Sequence, residues 1–334
     1  MMCKSKSLFS ALSLIAGASA FAPNSNTPSS SYSSLASSIT TGSAADTNWF
    51  TADTKKSDAD VSILSTNQLK AQVLQLGAAL DRGQAYNPTS GAYYSGSMLA
   101  AKKKIQELVS RADPDVNIPK SLKDIEGEWE LILTTVPHGI FRSSPFFLAI
   151  QEAFEFAEDG DAFGEPKANL FFKLHELQTC SWGASKVGRV AQRIDPDTSY
   201  LYSEFDTSLF SLTVIPIIGW FKLMPTFGGC VITASKCELK EGGKLEMTVD
   251  YTTSRPVPGL SGLGEWIWSL KVPVGAVWKL LPWNKGREAN CSVEVKYYDD
   301  DFRIVQDLDG ELFVYTRPVV PREFDIKEEI KTER

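Results

Sequence analysis

The sequence predicts a mainly β protein, about nine antiparallel strands closed into a barrel and preceded by an N-terminal helical hairpin. Three observations carry that expectation. Lys244 to Tyr251 alternates polar and apolar residues without an error, and Ser292 to Tyr297 repeats the pattern, as strands with one buried and one wet face do. Upstream of Gly127 the apolar period is near four instead of two, which is the helical spacing. Near the end, Asp307-Leu308-Asp309-Gly310 separates two short apolar runs and reads as the turn of a β-hairpin.

The chain opens with a segment that reads as an address. Lys4 and Lys6 form a positive n-region, Leu8 to Ala18 an apolar run, and Ala18-Ser19-Ala20 a small-x-small cleavage site, the three parts of a signal peptide over residues 1–20. The run is too short to span a bilayer. Residues 21–55 follow as a hydroxyl-rich, disordered transit peptide or linker. Phe21 after the cut resembles the bipartite presequence of algae with complex plastids, and ordinary secretion with a Ser-rich linker is the competing reading.

Ser65 with Gln68 makes a capping box, Leu69, Val73, Leu76 and Leu80 mark one face, and Gly83 stands where the helix should stop. A second helix is expected from about Ser97 to Ala112, with Met98, Ala101, Ile105 and Leu108 inward, Pro114 beyond its end, and Lys102, Lys103 and Lys104 as its solvated face. Residues 65–113 thus form the hairpin, 122–318 the β domain, and 319–334 a charged tail. Less regular strand candidates are Glu128 to Thr135, Asn169 to Leu174, Val187 to Ile194, Tyr200 to Phe205 and Cys230 to Leu239; Phe302 to Gln306 and Leu312 to Arg317 flank the hairpin turn. A lipocalin-like barrel manages the edges of so many strands and leaves room for one small ligand at about eight. A sandwich satisfies the same alternation.

Formal net charge is -7, and loss of the leader with Lys4, Lys6 and Asp46 leaves the remainder near -8. That acidity argues against nucleic acid, whose phosphates need clustered Lys and Arg. Cys180, Cys230, Cys237 and Cys291 show no CxxC spacing, so neither zinc nor a disulfide framework is signalled; Cys230 and Cys237 are read as buried thiols or, in the alternative, a pair. The two histidines, His138 and His175, have no ligand partner at standard spacing, no nucleophile-elbow or P-loop motif occurs, and Gly259, Gly262 and Gly264 have the wrong spacing for a dinucleotide loop. No enzyme, cofactor or metal site is expected. Asp299-Asp300-Asp301 reads as a turn.

Gly127-Glu128-Trp129 opens the first strand as lipocalin-type barrels do, with the indole at the floor; a plain core Trp is the alternative. Ser144-Pro145 starts a short helix reaching to Phe156, whose apolar face lines the cavity or plugs it. Leu209 to Phe227 is apolar but broken by Pro216, Lys222 and Pro225, hence strand plus lid. Pro256 to Trp283 interleaves Trp266, Trp268, Trp278 and Trp283 with Lys271 and Lys279. Indoles beside lysines suit a lipid-water boundary; a cap folded over the barrel mouth fits equally.

Tyr297-Tyr298-Asp299-Asp300-Asp301-Phe302-Arg303-Ile304 followed by Gly310-Glu311-Leu312-Phe313-Val314-Tyr315 resembles the closing motif of the plastid lipid-associated proteins, the fibrillins. Leu80-Asp81-Arg82-Gly83, Gly127-Glu128-Trp129-Glu130-Leu131, Phe141-Arg142-Ser143-Ser144-Pro145-Phe146-Phe147 and Gly188-Arg189-Val190-Ala191-Gln192 match further landmarks in order. The resemblance covers roughly Leu69 to Arg317. It implies a non-catalytic barrel that holds a hydrophobic small molecule at thylakoid or plastoglobule surfaces. Trp129, Tyr298, Asp300 and Arg303 are its candidate floor and ligand residues, with Phe146, Phe147 and Phe172 as apolar lining. An Asp300–Arg303 pair, mutually hydrogen-bonded, could instead lock the fold.

Overall fold

A computed structural model describes residues 61–86, 90–137, 139–155, 185–209, 214–215, 221–222, 227–256, 271–280 and 286–322. Helix α1 spans Thr66–Ala79 and α2 spans Ala92–Ser110. The Ser65 hydroxyl accepts from the Gln68 N–H at 3.3 Å while the Gln68 side chain accepts from the Ser65 N–H at 2.8 Å, satisfying two donors that a helix start otherwise leaves unmatched. Helix α2 begins earlier than Ser97 because its cap is Gly91, at φ 90° and without a side-chain acceptor. No Ser, Thr or Asp marks that start.

Ten strands follow among the described residues: β1 (Gly127–Thr134), β2 (Ser185–Asp195), β3 (Tyr200–Leu209), β4 (Val214–Ile215), β5 (Phe221–Lys222), β6 (Phe227–Leu239), β7 (Lys244–Pro256), β8 (Asn290–Tyr298), β9 (Phe302–Gln306) and β10 (Leu312–Thr316). Eight of them close a barrel in the order β1-β10-β9-β8-β7-β6-β3-β2, while β4 and β5 pair only with each other. Every neighbouring pair is antiparallel, and the seam sets Glu130 opposite Thr316 and Leu131 opposite Tyr315. Closure leaves no edge unpaired and rules out the sandwich. Eight of the nine strand candidates fall on these eight strands; the ninth, 169–174, lies outside the described residues, as do the leader and residues 323–334.

Alternation alone does not explain which side chains point inward. In β1, Leu131 faces Tyr315 and Leu133 faces Val314, so Ile132 is an extra residue. In β8, Val295 faces Val305 and Tyr297 faces Ile304, so Lys296 is another. Each bulge flips the strand's remaining side chains to the other face. Trp129, Leu131, Val293 and Val295 therefore join the interior cluster. Leu133 and Tyr297 face outward with Phe302, Ile304, Leu312 and Val314, where Leu69 and Val73 of α1 and Met98, Ala101, Ile105 and Leu108 of α2 cover them. Strands β9 and β10 are consequently buried on both faces.

Two close approaches seat α1. A Cβ at Gly77 would stand 2.5 Å from the Ile132 carbonyl oxygen, so glycine is required against the β1 bulge. After the helix, Arg82 at φ 59° reaches the carbonyls of Gly188 and Val187, the second at 3.1 Å, where β2 loses register with β3. Lys102, expected on the solvated face of α2, pairs with Glu311 at 3.0 Å instead. The three consecutive acids make the β8–β9 turn, with Asp299 accepting from the N–H groups of Asp301 and Phe302 at 3.0 and 2.9 Å.

Candidate functional site

Trp129 closes one end of the barrel. Its Nε1 donates to the Ile125 carbonyl at 2.9 Å, and the Arg317 guanidinium lies 3.7 Å from the indole centroid. Gly127 has φ 91°, and a Cβ there would come within 3.0 Å of Arg317 Nη1. The Gly-x-Trp spacing thus has two causes, a left-handed backbone and the room Arg317 needs. On the interior side Arg303 sits 5.1 Å from the Trp129 ring and 4.5 Å from the Tyr315 ring, a cation between two π faces.

Arg303 is 1% exposed. Its Nη2 donates to Gln192 Oε1 at 2.5 Å, and Gln192 Nε2 donates to the Ser143 carbonyl at 2.8 Å. Its Nε and Nη1 meet no acceptor among the described residues. Burial, with Arg317 nearby, pushes its pKa down to about 10 despite the opposing influence of Tyr315. Tyr315 is pushed up to about 12 by burial, although Arg303 and the nearby Ser143 side chain act the other way. Both values leave the pair in its ordinary charge state at neutral pH.

These groups line a cavity of about 10 Å³ together with Leu148, Leu245, Met247, Val293, Val305 and Phe313. That is room for about one water molecule. The interior is otherwise filled from above by helices α3 (Gly139–Arg142) and α4 (Pro145–Glu155), which bring Ile140, Leu148, Ala149 and Ile150 into the interior cluster. Pro145 occupies the first helical position, as its fixed φ favours, and the Leu148 N–H bonds to the Ser144 carbonyl at 3.0 Å.

Polar contacts at the rim hold this plug. Arg142, buried, reaches Asp307 at 3.2 Å and Asp309 at 2.8 Å, and Gln151 joins it through Asp309 at 2.6 Å. Burial raises the Asp307 pKa although Arg142 pulls it down. Glu152 accepts from the Ser292 N–H at 2.5 Å, and burial lifts its pKa above the ordinary 4.5 against that bond.

The sequence-predicted residues divide clearly. Trp129 and Arg303 come together. Tyr298 lies opposite Arg303 in the β8–β9 register and packs half-buried on the interior cluster. Asp300 is exposed in the turn and does not pair with Arg303, because a turn position projects to solvent while Arg303 faces inward. Phe146 and Phe147 belong to the plug; Phe146 meets Trp278 edge-on, with centroids 6.2 Å apart. Trp278, on α5 (Val274–Leu280), is buried, away from the surface role expected of it. Lys271 and Lys279 are exposed, the first over the Tyr251 ring at 5.0 Å and the second paired with Glu288 at 2.8 Å. Phe172, Trp266, Trp268 and Trp283 lie outside the described residues.

Ser143, Gln192, Tyr315 and Arg317 are functional neighbours that sequence reasoning left unassigned. The available signal was parity: Arg303 shares the inward face with Val305, and a charge at an inward position is unusual. Cys230 and Cys237, expected as thiols or a pair, are free and buried. They stand seven positions apart on one strand, roughly 23 Å at the strand rise. Outside the barrel, Arg189 bridges Glu128, Glu130 and Glu204, while Arg322 grips Asp206 through both terminal nitrogens at 2.8 and 2.6 Å. This network fastens the segment after β10 to the barrel wall.

Fold and site together define a closed eight-stranded antiparallel barrel whose largely apolar interior cluster holds the buried Arg303 beside Gln192 and Ser143. Compared with protein-family models, curated proteins and solved structures, the chain gives no match.

Proposed function

We propose that this chain is a plastid lipid-associated protein of the fibrillin kind, a lipocalin-like barrel that holds a hydrophobic small molecule without catalysis. In this reading the leader delivers it to a complex plastid, α1 and α2 act as a hairpin bracing the barrel wall, and the Trp/Lys connection rests on a thylakoid or plastoglobule surface. The cargo is an isoprenoid, quinone, carotenoid or acyl lipid. The observation that carries the reading is the interior itself, an apolar lining with a single polar cluster at Arg303, Gln192, Tyr315 and Ser143. Binding sites for small apolar molecules have that composition, a hydrophobic wall and few placed polar groups.

A second reading has its own support. The cavity of about 10 Å³ and the helix seated in the barrel favour a scaffold, filled by its own side chains, that recruits partner enzymes at a lipid surface. Extraction and mass analysis of what copurifies with the protein from pigmented plastid membranes separates the two. A stoichiometric lipid or pigment is expected for a carrier. Protein that carries nothing yet floats with lipid droplets would overturn the carrier reading in favour of the scaffold.

A further inference from the structure

Resting on the carrier reading, we infer that the barrel takes a single-chain amphiphile with an acidic head, its carboxylate on Arg303 and its chain in the space vacated by the α3–α4 plug. In the closed molecule Ser143 acts as a built-in stand-in for that head. Its carbonyl accepts from Gln192 Nε2 at 2.8 Å, while its hydroxyl donates to the Ile140 carbonyl at 2.7 Å and lines the cavity with Tyr315. One segment of the plug thereby occupies a polar group of the cluster.

The stand-in is incomplete. Ser143 contributes no charge, and Arg303 Nε and Nη1 meet no acceptor among the described residues. A carboxylate has two oxygens and about four acceptor positions. It can take the fork of Arg303 while also accepting from Gln192 and Tyr315. It also supplies the negative charge that a buried guanidinium otherwise lacks, and charge-assisted bonds of that kind are the strong ones. An alcohol or a quinone carbonyl offers an acceptor without the charge. The head group is therefore selected by charge, and the tail only by the apolar wall of Leu245, Met247, Val293, Val305 and Phe313.

Entry requires the plug to withdraw, since the present cavity admits no more than a water molecule. Leu148 of α4 lines the cavity directly. Its removal, with that of Ser143, joins the space around Arg303 to the barrel mouth. Withdrawal breaks the rim contacts of Arg142, Gln151 and Glu152 and uncovers Ile140, Leu148, Ala149 and Ile150, which the chain of the bound amphiphile then re-covers.

Titration of the delipidated full chain with dodecanoate and, separately, dodecanol tests the inference, read by calorimetry and native mass spectrometry. We expect one dodecanoate per chain, bound at least tenfold more tightly than dodecanol, and loss of that preference in Arg303→Met. Because Arg303→Met removes a core cation and can fail to fold, the wild-type comparison stands by itself, joined by the carboxyl resonance of ¹³C-labelled dodecanoate, expected to titrate below its free value when bound. Equal affinity for acid and alcohol, or an unshifted resonance, overturns the inference and leaves the carrier reading intact. Binding of neither amphiphile also overturns the inference, and the carrier reading falls with it only if nothing copurifies with the protein from plastid membranes.

Discussion

Replacing Gly77 and Gly96 by alanine, one at a time, tests whether α1 is seated on the β1 bulge. Both glycines are helical, and in a free helix the change gains about 1 kcal/mol from backbone entropy. At Gly96 nothing lies within 4 Å of the added Cβ, so the full gain is expected. At Gly77 the Cβ would be 2.5 Å from the Ile132 carbonyl oxygen, a backbone atom fixed by the barrel. Relief requires the helix or the bulge to move, and forced overpacking of this sort costs about 1–3 kcal/mol. The cost exceeds the gain. Gly77→Ala should lose up to about 2 kcal/mol while Gly96→Ala gains about 1, and for a protein of this size each kcal/mol moves Tm by about 2–4 °C. Thermal melts followed by circular dichroism, with urea midpoints as a second measure, separate the two. A Gly77→Ala protein that melts as high as Gly96→Ala would refute the close approach.

Asp299 is held below its ordinary 3.8 although burial opposes this, because Lys70, the Tyr297 hydroxyl and the N–H groups of Phe302 and Asp301 favour its charged form. A depressed acid stabilises above its unfolded value and loses that contribution as pH falls through the folded one. Asp299→Asn should be less stable than the parent at pH 7, and urea midpoints should converge below about pH 4. Glu152 has the opposite sign: burial raises it above 4.5, so its penalty is absent below that value and grows as pH rises through the folded pKa. Glu152→Gln, which can still accept from the Ser292 N–H, should be as stable as the parent near pH 4 and no less stable at pH 7; a large loss at pH 7 would contradict it. Burial lifts Cys230 and Cys237 to about 12 and Cys291 also upward. These thiols should resist a disulfide reagent at pH 8 in the folded protein and react at once in guanidinium, since the thiolate is the reactive form.

What the sequence disclosed follows from physics that acts locally. The alternation of Lys244 to Val249 holds in β7, while an extra residue at Asp250 puts Tyr251 on the opposite face; Asp307 to Gly310 is a turn because Asp307 caps it and Gly310 takes φ 83°. The bulges at Ile132 and Lys296 left no mark, since an extra residue is defined only by the partner strand. For the same reason Leu131 and Leu133 read as one face and sit on two. The start of α2 was hidden by a glycine cap. Arg303 was singled out by motif, but its company was not, because Gln192, Ser143 and Tyr315 meet it through strand pairing and the descent of α3 and α4 into the barrel. Asp300, adjacent in sequence, was the attractive partner and the wrong one.

The seam between β1 and β10 has a kinetic consequence. Among the described strands the barrel is closed by its first and last, β1 and β10, so during synthesis closure waits on the final one. Until Leu312 to Thr316 emerge, β1 exposes a hydrogen-bonding edge, and α1 and α2 lack the surface that Leu312 and Val314 give them. Contacts so distant along the chain make folding slow, and open edges in the interim invite association. A chain cut short by even its last strand would be left with an open sheet.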